Sequence, residues 1–306
     1  MHISSQTMSN MMASAMGNAY DTYANIIQKI ASNKNFTKVS ENVPDAVNVL
    51  KIKNQISELE GYQGNVQHAI NEMNLTYDTL SNISSELSNI NGLVVSASTG
   101  STTLDSAKAY ASEIKERIGT ITDLMNTKYL DNYIFAGTYI NEEPYTYDED
   151  GNIIYNGSSK ANGDRNLMIS KDTKFSYNLT GEEIFGEQDG VNDFFAQMKE
   201  LVSLLNCEDS EDLDFDKIRD KLNILDKTMN NVNQKNGLVS SKVSKLLATQ
   251  EINNDTISNL TEKRADMEEV DIVKAASDLA SANTGLQASY LLGTRILSSV
   301  SLLDYL

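Results

Sequence analysis

The side chains that could bind a metal or move a proton are few and poorly grouped. His2, His68 and Cys207 are the chain's only imidazoles and its only thiol. A zinc site would need them supplemented by several carboxylates, and no H-E-x-x-H pattern is present. Carboxylates stand side by side at Glu142-Glu143, Glu182-Glu183 and Glu268-Glu269, but general acid and base chemistry would require two of them to converge in one pocket. Asp148-Glu149-Asp150-Gly151 has the look of a calcium loop. Aligning Gly151 with that loop's fixed glycine puts Thr146 at the first ligand position and Gly157 where the bidentate glutamate belongs, so the segment predicts a turn. The acidic stretch from Glu208 to Asp216 fits a solvated loop in which Asp212 or Asp214 caps the following helix. Cys207, beside Leu204 and Leu205, predicts a buried thiol, and alone it forms no internal disulfide. His68, next to Val66 and Ile70, predicts a helix-surface or boundary residue. The chain also lacks a nucleophile elbow, a Walker loop and a dinucleotide glycine motif. No catalytic, cofactor or metal site is expected, and no enzymatic role.

The charge balance narrows the partners. A formal net charge of −18 disfavours wrapping a phosphate backbone or an anionic membrane surface. The first basic residue is Lys29, so the N-terminus lacks the charged and apolar regions of a secretory signal. No run approaches the ~18 apolar residues of a membrane span. Neither nucleic acid nor membrane insertion is expected. By these rules the chain is soluble and cytoplasmic, and export would need another route.

The apolar pattern, in contrast, is strongly ordered. Ile218, Leu225, Val232, Val239, Leu246, Asn253, Leu260 and Met267 fall every seventh residue, with one polar interruption. A second row, offset by four, holds Leu222, Met229, Asn236, Val243, Gln250 and Ile257. This is a coiled-coil seam, on the order of 75 Å long at ~1.5 Å per residue. It needs a long partner, and Ile52, Leu59, Val66, Met73, Leu80, Leu87 and Val94 supply one, supported by Val49, Ile56, Ile70 and Tyr77. Only two prolines, Pro44 and Pro144, are present, against roughly 5% in average usage, so long helices run uninterrupted. Thr103 or Ser101 is placed to cap a third helix carrying Leu104, Ala107, Ala111, Ile114, Ile118, Ile121 and Met125 on one face.

The period changes at Tyr133. The run Tyr133-Ile134-Phe135-Ala136-Gly137 is followed by Pro144, Tyr145 and Tyr147, then by Ile153-Ile154-Tyr155 across Asp150-Gly151-Asn152, a hairpin pattern. Further strands are expected at 165–169 and 175–177, and helix resumes at Val191. The predicted fold is mainly α with an inserted small β domain, on a long antiparallel coiled-coil-like rod formed by both chain ends. The expected division is 1–42 with 270–306, 43–132 with 188–269, and 133–187. The rod seam is predicted at Ile52, Leu59, Val66, Met73, Leu80, Leu225, Val232, Leu246 and Leu260.

Both ends carry weaker stripes rich in methionine and small residues. Met8, Met12, Ala15, Ala19, Tyr23, Ile26 and Ile30 form one. Past a phase break at 268–271, Ile272, Leu279, Leu286, Gly293 and Val300 form another, with Ala275, Ala282, Ser289, Ile296 and Leu303 beside it. Such stripes bury little area alone. The ends are therefore expected to pair with each other and with neighbouring copies, through Met12, Tyr23, Ile26, Ile30, Leu279, Leu286, Ile296, Val300 and Leu303.

Several segments together resemble the hook-filament junction proteins of the bacterial flagellin superfamily. Met1-His2-Ile3-Ser4 is similar to that family's start, and Ile30-Ala31-Ser32-Asn33-Lys34 to its I-A-S-G-K, with Asn33 in place of glycine. Ser40 to Asp45 is a loose version of its N-x-P-S-D-D-P loop. Tyr133 to Gly137, with Pro144 and Tyr145, resembles the opening of the family's β domain. Glu269-Val270-Asp271-Ile272 through Ser277-Asp278-Leu279 resembles its D-V-D-x-A…S-D-L stretch, and the tail through Leu286-Gln287-Ala288-Ser289-Tyr290 and Ser301 to Leu306 is similar too. The resemblance implies a subunit exported with unfolded ends through the flagellar type III apparatus and bound first by a dedicated chaperone. It would then form a ring of copies between the first hook-filament junction protein and flagellin. It implies terminal helices lining the inner tube, rod helices around them and the β insert outside. The alternatives are a flagellin filament subunit, a cytoplasmic helical-hairpin signalling protein and, more remotely, an acidic hydrolase in the insert.

Overall fold

A computed structural model describes residues 5–158, 163–186, 193–209 and 213–303, with side chains described for all of these except 5–6 and 296–303. The helices are α1 (Ser5–Ser32), α2 (Val43–Ala97), α3 (Leu104–Met125), α4 (Gly181–Phe185), α5 (Phe194–Leu205), α6 (Phe215–Glu268) and α7 (Ile272–Leu303). The strands are β1 (Lys128–Tyr129), β2 (Asn132–Tyr133), β3 (Tyr145–Tyr147), β4 (Ile153–Tyr155), β5 (Asn166–Ser170) and β6 (Thr173–Ser176). The chain divides into two compact units, one formed by 59–254 and the other by 1–58 with 255–306.

In the unit formed by 59–254, α2 and α6 run antiparallel in strict register. Polar side chains pair across them as Gln63 with Asn254 (3.0 Å), Gln67 with Gln250 (2.7 Å), Ser81 with Asn236 (3.0 Å), Ser84 with Asn233 (3.0 Å) and Asn91 with Asp226 (3.2 Å). Each step along α2 is matched by one step back along α6, which a regular seam produces. Val66, Met73, Leu80, Leu87 and Val94 are fully buried, as are Ile218, Leu225, Val232, Val239 and Leu246. Leu59 is half-buried. Tyr77, expected to support the seam, is 42% exposed. Thr76 takes the buried place beside it and returns its hydroxyl to the Glu72 carbonyl (2.9 Å), satisfying the polar atom locally.

A third helix, α3, packs against α5 and reaches α2 through the Arg117–Glu86 ion pair (2.8 Å). Thr103 caps α3 by accepting from the Ser106 amide, and Ala107, Ala111, Ile114, Ile118, Ile121 and Met125 are buried. Asp193 caps α5 through the Phe195 and Ala196 amides, while Asp214 caps α6 through the Lys217 amide (3.1 Å). The alternative cap, Asp212, and the expected helix start, Val191, lie outside the described residues. Cys207 is half-buried, less enclosed than expected.

The insert is three separate two-stranded antiparallel ribbons, β1–β2, β3–β4 and β5–β6. Its first hairpin begins at Lys128, ahead of the predicted boundary. The turn at Asp148 to Asn152 is closed as predicted, by Gly151 at φ +74° and by Asp148 Oδ1 accepting from the Asp150 and Asn152 amides. Isolated ribbons are marginal in water, and these are held by contacts that only the fold creates. Asn126 clamps Tyr145 by donating to its carbonyl (2.8 Å) and accepting from its amide (2.9 Å). Asn231 on α6 donates to the Glu183 and Ile184 carbonyls of α4 (2.9 and 2.6 Å). Arg165 forms a buried ion pair with Glu72 of α2, and its guanidinium lies 5.0 Å from the Tyr177 ring centroid. Burial pushes the Glu72 carboxyl upward, and Arg165 opposes that shift. His68 is half-buried, with Tyr129 and Tyr177 edge-on to its ring at 5.4 and 6.0 Å.

Removing one member of the Glu72–Arg165 pair strands a buried charge. Arg165→Met is expected to destabilise the protein by about 3–5 kcal/mol in denaturant titration, and adding Glu72→Gln to recover part of that loss. Tyr77→Ala is expected to stay within about 0.5 kcal/mol of the parent.

Candidate assembly interface

Within the unit formed by 1–58 and 255–306, α1 and α7 pack against each other. On α1, Met12, Met16, Ala19, Tyr23, Ile26 and Ile30 are half-buried at intervals of three or four residues, with Ala24 and Lys29 half-buried beside them. On α7 the least exposed positions are Ala275, Leu279, Ala282, Leu286, Ser289 and Gly293 at the same spacing. A Cβ built on Gly293 would lie 3.1 Å from Met16 Sδ and 3.8 Å from Met12 Cε, so the small residue permits close approach. Six of the expected interface residues, Met12, Tyr23, Ile26, Ile30, Leu279 and Leu286, therefore sit on the mutually packed rows. Ile296, Val300 and Leu303 belong to α7, but their side chains lie outside the described residues, as do Met1 to Ser4 and Asp304 to Leu306.

Other apolar side chains of the same helices remain in water. Met8, Met11, Tyr20 and Ile27 on α1, and Val273, Tyr290, Leu291 and Leu292 on α7, are all exposed, Val273 at 82% and Leu291 at 67%. The sequence reading assigned both the mutual pairing and the contacts with neighbouring copies to the heptad rows, and these exposed residues lie off them. The signal was available as apolar residues lying off the row.

The helix ends in this unit are tied together. Asn33 adopts φ +52°, with its amide donating to Ile30 O (3.3 Å) and the Lys34 amide to Lys29 O (3.1 Å), a Schellman stop to α1. The turn then pairs with the end of α6: the Asn35 amide donates to Glu268 O (2.8 Å) and the Val270 amide to Asn33 O (3.4 Å). Glu268 bridges Lys34 (3.1 Å) and Lys53 (2.9 Å). Burial works to raise its carboxyl, but hydrogen bonds from the two ammonium groups outweigh that and hold it below the ordinary range. Asp271 starts α7 by accepting from the Val273 and Lys274 amides, both at 3.0 Å. The phase break at 268–271 is thus a true helix boundary. Ile52, in the predicted rod seam, is buried in this unit, and Leu260 is half-buried.

Among the described residues, no three or more His, Cys, Asp or Glu are grouped so as to hold a metal ion, and no helix is long and apolar enough to cross a membrane. The bacterial flagellin N-terminal helical region matches residues 3–139. No curated protein matches the sequence. Solved structures share the fold. A putative flagellar hook-associated protein from Vibrio parahaemolyticus is 18% identical, with a TM-score of 0.68 over 75% of this chain and 100% of that one. Flagellar hook associated protein-3 from Legionella pneumophila is 15% identical, with a TM-score of 0.62 over 70% of this chain and 97% of that one. Bacillus cereus FlgL is 19% identical, with a TM-score of 0.57 over 70% and 99%.

The segments that carried the resemblance now have physical roles. Asn33 stands where the family pattern has glycine, and its left-handed backbone explains the exchange, because asparagine is the side chain that tolerates it best. In Tyr133 to Gly137, Ile134, Phe135 and Ala136 are buried, and Gly137 turns at φ +65° where a Cβ would strike Ser158 Oγ at 2.2 Å.

Asn33→Gly should be near neutral, whereas Asn33→Val should cost about 1–2 kcal/mol, read from thermal unfolding. Glu268→Gln should cost about 1 kcal/mol at pH 7. Because the folded carboxyl lies below its ordinary value of 4.5, its stabilisation is complete above that value and fades as pH falls below it. The gap between parent and Glu268→Gln should therefore narrow progressively as the pH falls below that value.

Proposed function

We propose that the chain is a structural subunit of the bacterial flagellum that joins the hook to the flagellin filament by self-assembly of its terminal helices. The observation that carries this reading is the pair α1 and α7, which pack through small residues and methionine yet leave Met8, Met11, Tyr20, Tyr290, Leu291 and Leu292 in water. Covering those side chains with neighbouring helices contributes about 25 cal/mol per Å² of apolar surface removed from water. A single copy forgoes that contribution. The flagellin-family helical region and the fold shared with hook-associated proteins support the same reading.

In this role the partners are further copies in a ring, the first junction protein, flagellin and an export chaperone. The subunit is secreted through the flagellar export apparatus and resides at the hook-filament junction. Flagellin itself is the nearest competing identity, since the matched helical region is common to both. The Tyr133 to Gly137 segment and the Leu-Asp-Tyr-Leu tail favour the junction protein.

Deleting the gene is expected to leave bare hooks with flagellin released to the medium, seen by electron microscopy. Normal filaments in that strain would eliminate the junction role, and loss of flagellin protein itself would identify the chain as the filament subunit. Leu291→Asp is expected to change folding stability by no more than about 0.5 kcal/mol, because Leu291 is 67% exposed, and yet to fail to restore filaments.

A further inference from the structure

Met1, Met8, Met11, Met12 and Met16 crowd the start of a chain that holds 11 methionines in all. Their exposure separates them from the rest. Met73, Met125 and Met198 are fully buried in the unit formed by 59–254, and Met12, Met16, Met168, Met229 and Met267 are half-buried. Met8, at 47%, and Met11, at 63%, are the only exposed methionines among the described residues. Both lie on α1. Leucine there would match methionine in helix propensity and in apolar character. What methionine adds is a polarizable thioether that an oxidant can reach.

Packing makes a second distinction. Met16 Sδ and Met12 Cε lie 3.1 and 3.8 Å from the position a Cβ would take on Gly293, so α7 shields these two side chains and leaves no room for an added oxygen on that side. Met8 and Met11 have open water beside them. Oxygen added to either is accommodated by the single copy, and its consequence falls on whatever must later cover α1.

We infer that Met8 and Met11 form a peroxide-responsive modification site that weakens assembly through α1. A lone pair of the thioether sulfur attacks one oxygen of hydrogen peroxide, the O–O bond breaks and an S–O bond forms. The proton on the new oxygen passes to the departing hydroxide, so sulfur is oxidised by two electrons and peroxide is reduced to water. Hydrogen peroxide is small and uncharged, and a chain of net charge −18 does not repel it. The sulfoxide is polar where the thioether was apolar, and burying it without a hydrogen-bond partner is costly. Reductases return the sulfoxide to the thioether, which makes the change reversible. The effect on assembly rests on the function proposed above, whereas the place of oxidation rests on exposure alone.

Full-length protein treated with hydrogen peroxide at neutral pH and mapped by mass spectrometry tests the site. Met8 and Met11 are expected to gain oxygen at least about tenfold faster than Met73, Met125 and Met198, with the circular dichroism unchanged. Equal rates, or helix lost in step with the first oxygens, would overturn it. Sedimentation of concentrated protein tests the consequence. Self-association should weaken about tenfold after oxidation and recover when methionine sulfoxide reductases for both epimers are added with a dithiol. Oxidised protein that associates as the untreated protein does, or a loss the reductases do not reverse, defeats the proposal. In Met8→Leu/Met11→Leu, which keeps Met1 and Cys207, the ratio of treated to untreated association should stay near one. A ratio that falls as in the parent places the sensitive sulfur elsewhere and is equally fatal. Failure of the junction role reads differently, as normal filaments in the deletion strain.

Discussion

The antiparallel seam between α2 and α6 is the constraint on which the 59–254 unit depends. It brings together residues as distant in sequence as Gln63 and Asn254, 191 positions apart, and at its near end, across 121 positions, the Arg219 guanidinium donates to the Ser98 carbonyl at 3.3 Å. Closing a loop of that length carries an entropic cost that rises only slowly with length. A row of fully buried side chains on each helix outweighs it. Polar pairs such as Gln63 with Asn254 and Ser84 with Asn233 contribute little energy. They fix which residue stands opposite which, since a slip by one residue would break all of them together.

With that seam set, the insert does not need a core of its own. Three short ribbons, none more than five residues per strand, lack the hydrophobic face that lets a sheet stand alone. They borrow the surface of the helices: Arg165 reaches Glu72, Asn231 reaches the backbone of α4, and Lys245 lies 5.6 Å from the Phe175 ring centroid. Tyr145 is fully enclosed by Tyr155, Phe185 and Phe195, and burial pushes its hydroxyl well above the ordinary range. The polar docking contacts make the insert's position specific, and the aromatic cluster supplies most of its apolar burial.

What the sequence made legible follows from what is local. Heptad rows, the Thr103 cap, the Asp148 to Asn152 turn and the break before α7 all rest on residues within a few positions of each other. The division of the insert into three ribbons, the Glu72–Arg165 pair and the insertion of Asn231 under α4 depend on contacts between distant segments, which periodicity does not encode. Tyr77 shows a different failure. At the edge of a seam, a large amphipathic ring and a small hydroxyl can exchange the buried place, and the backbone carbonyl that accepts from Thr76 decides it. At the ends, the stripe was legible but its use was not. A helix with apolar residues on more than one side can spend one row on its own partner helix, and only the packed structure tells which row that is.

The charge of the chain shapes how such ends can associate. Copies of net charge −18 repel one another at long range, with a reach of about 8 Å at physiological ionic strength. Apolar side chains such as Leu291 and Leu292 attract only at contact. Random encounters are therefore discouraged, while an approach that aligns several contacts at once is not. Under the proposed role, this balance suits a subunit that stays single until it meets a template presenting many matching faces together. The exposed apolar side chains of α1 and α7 fit the proposed role, in which each contact is weak and a ring would supply contacts on both sides of every copy.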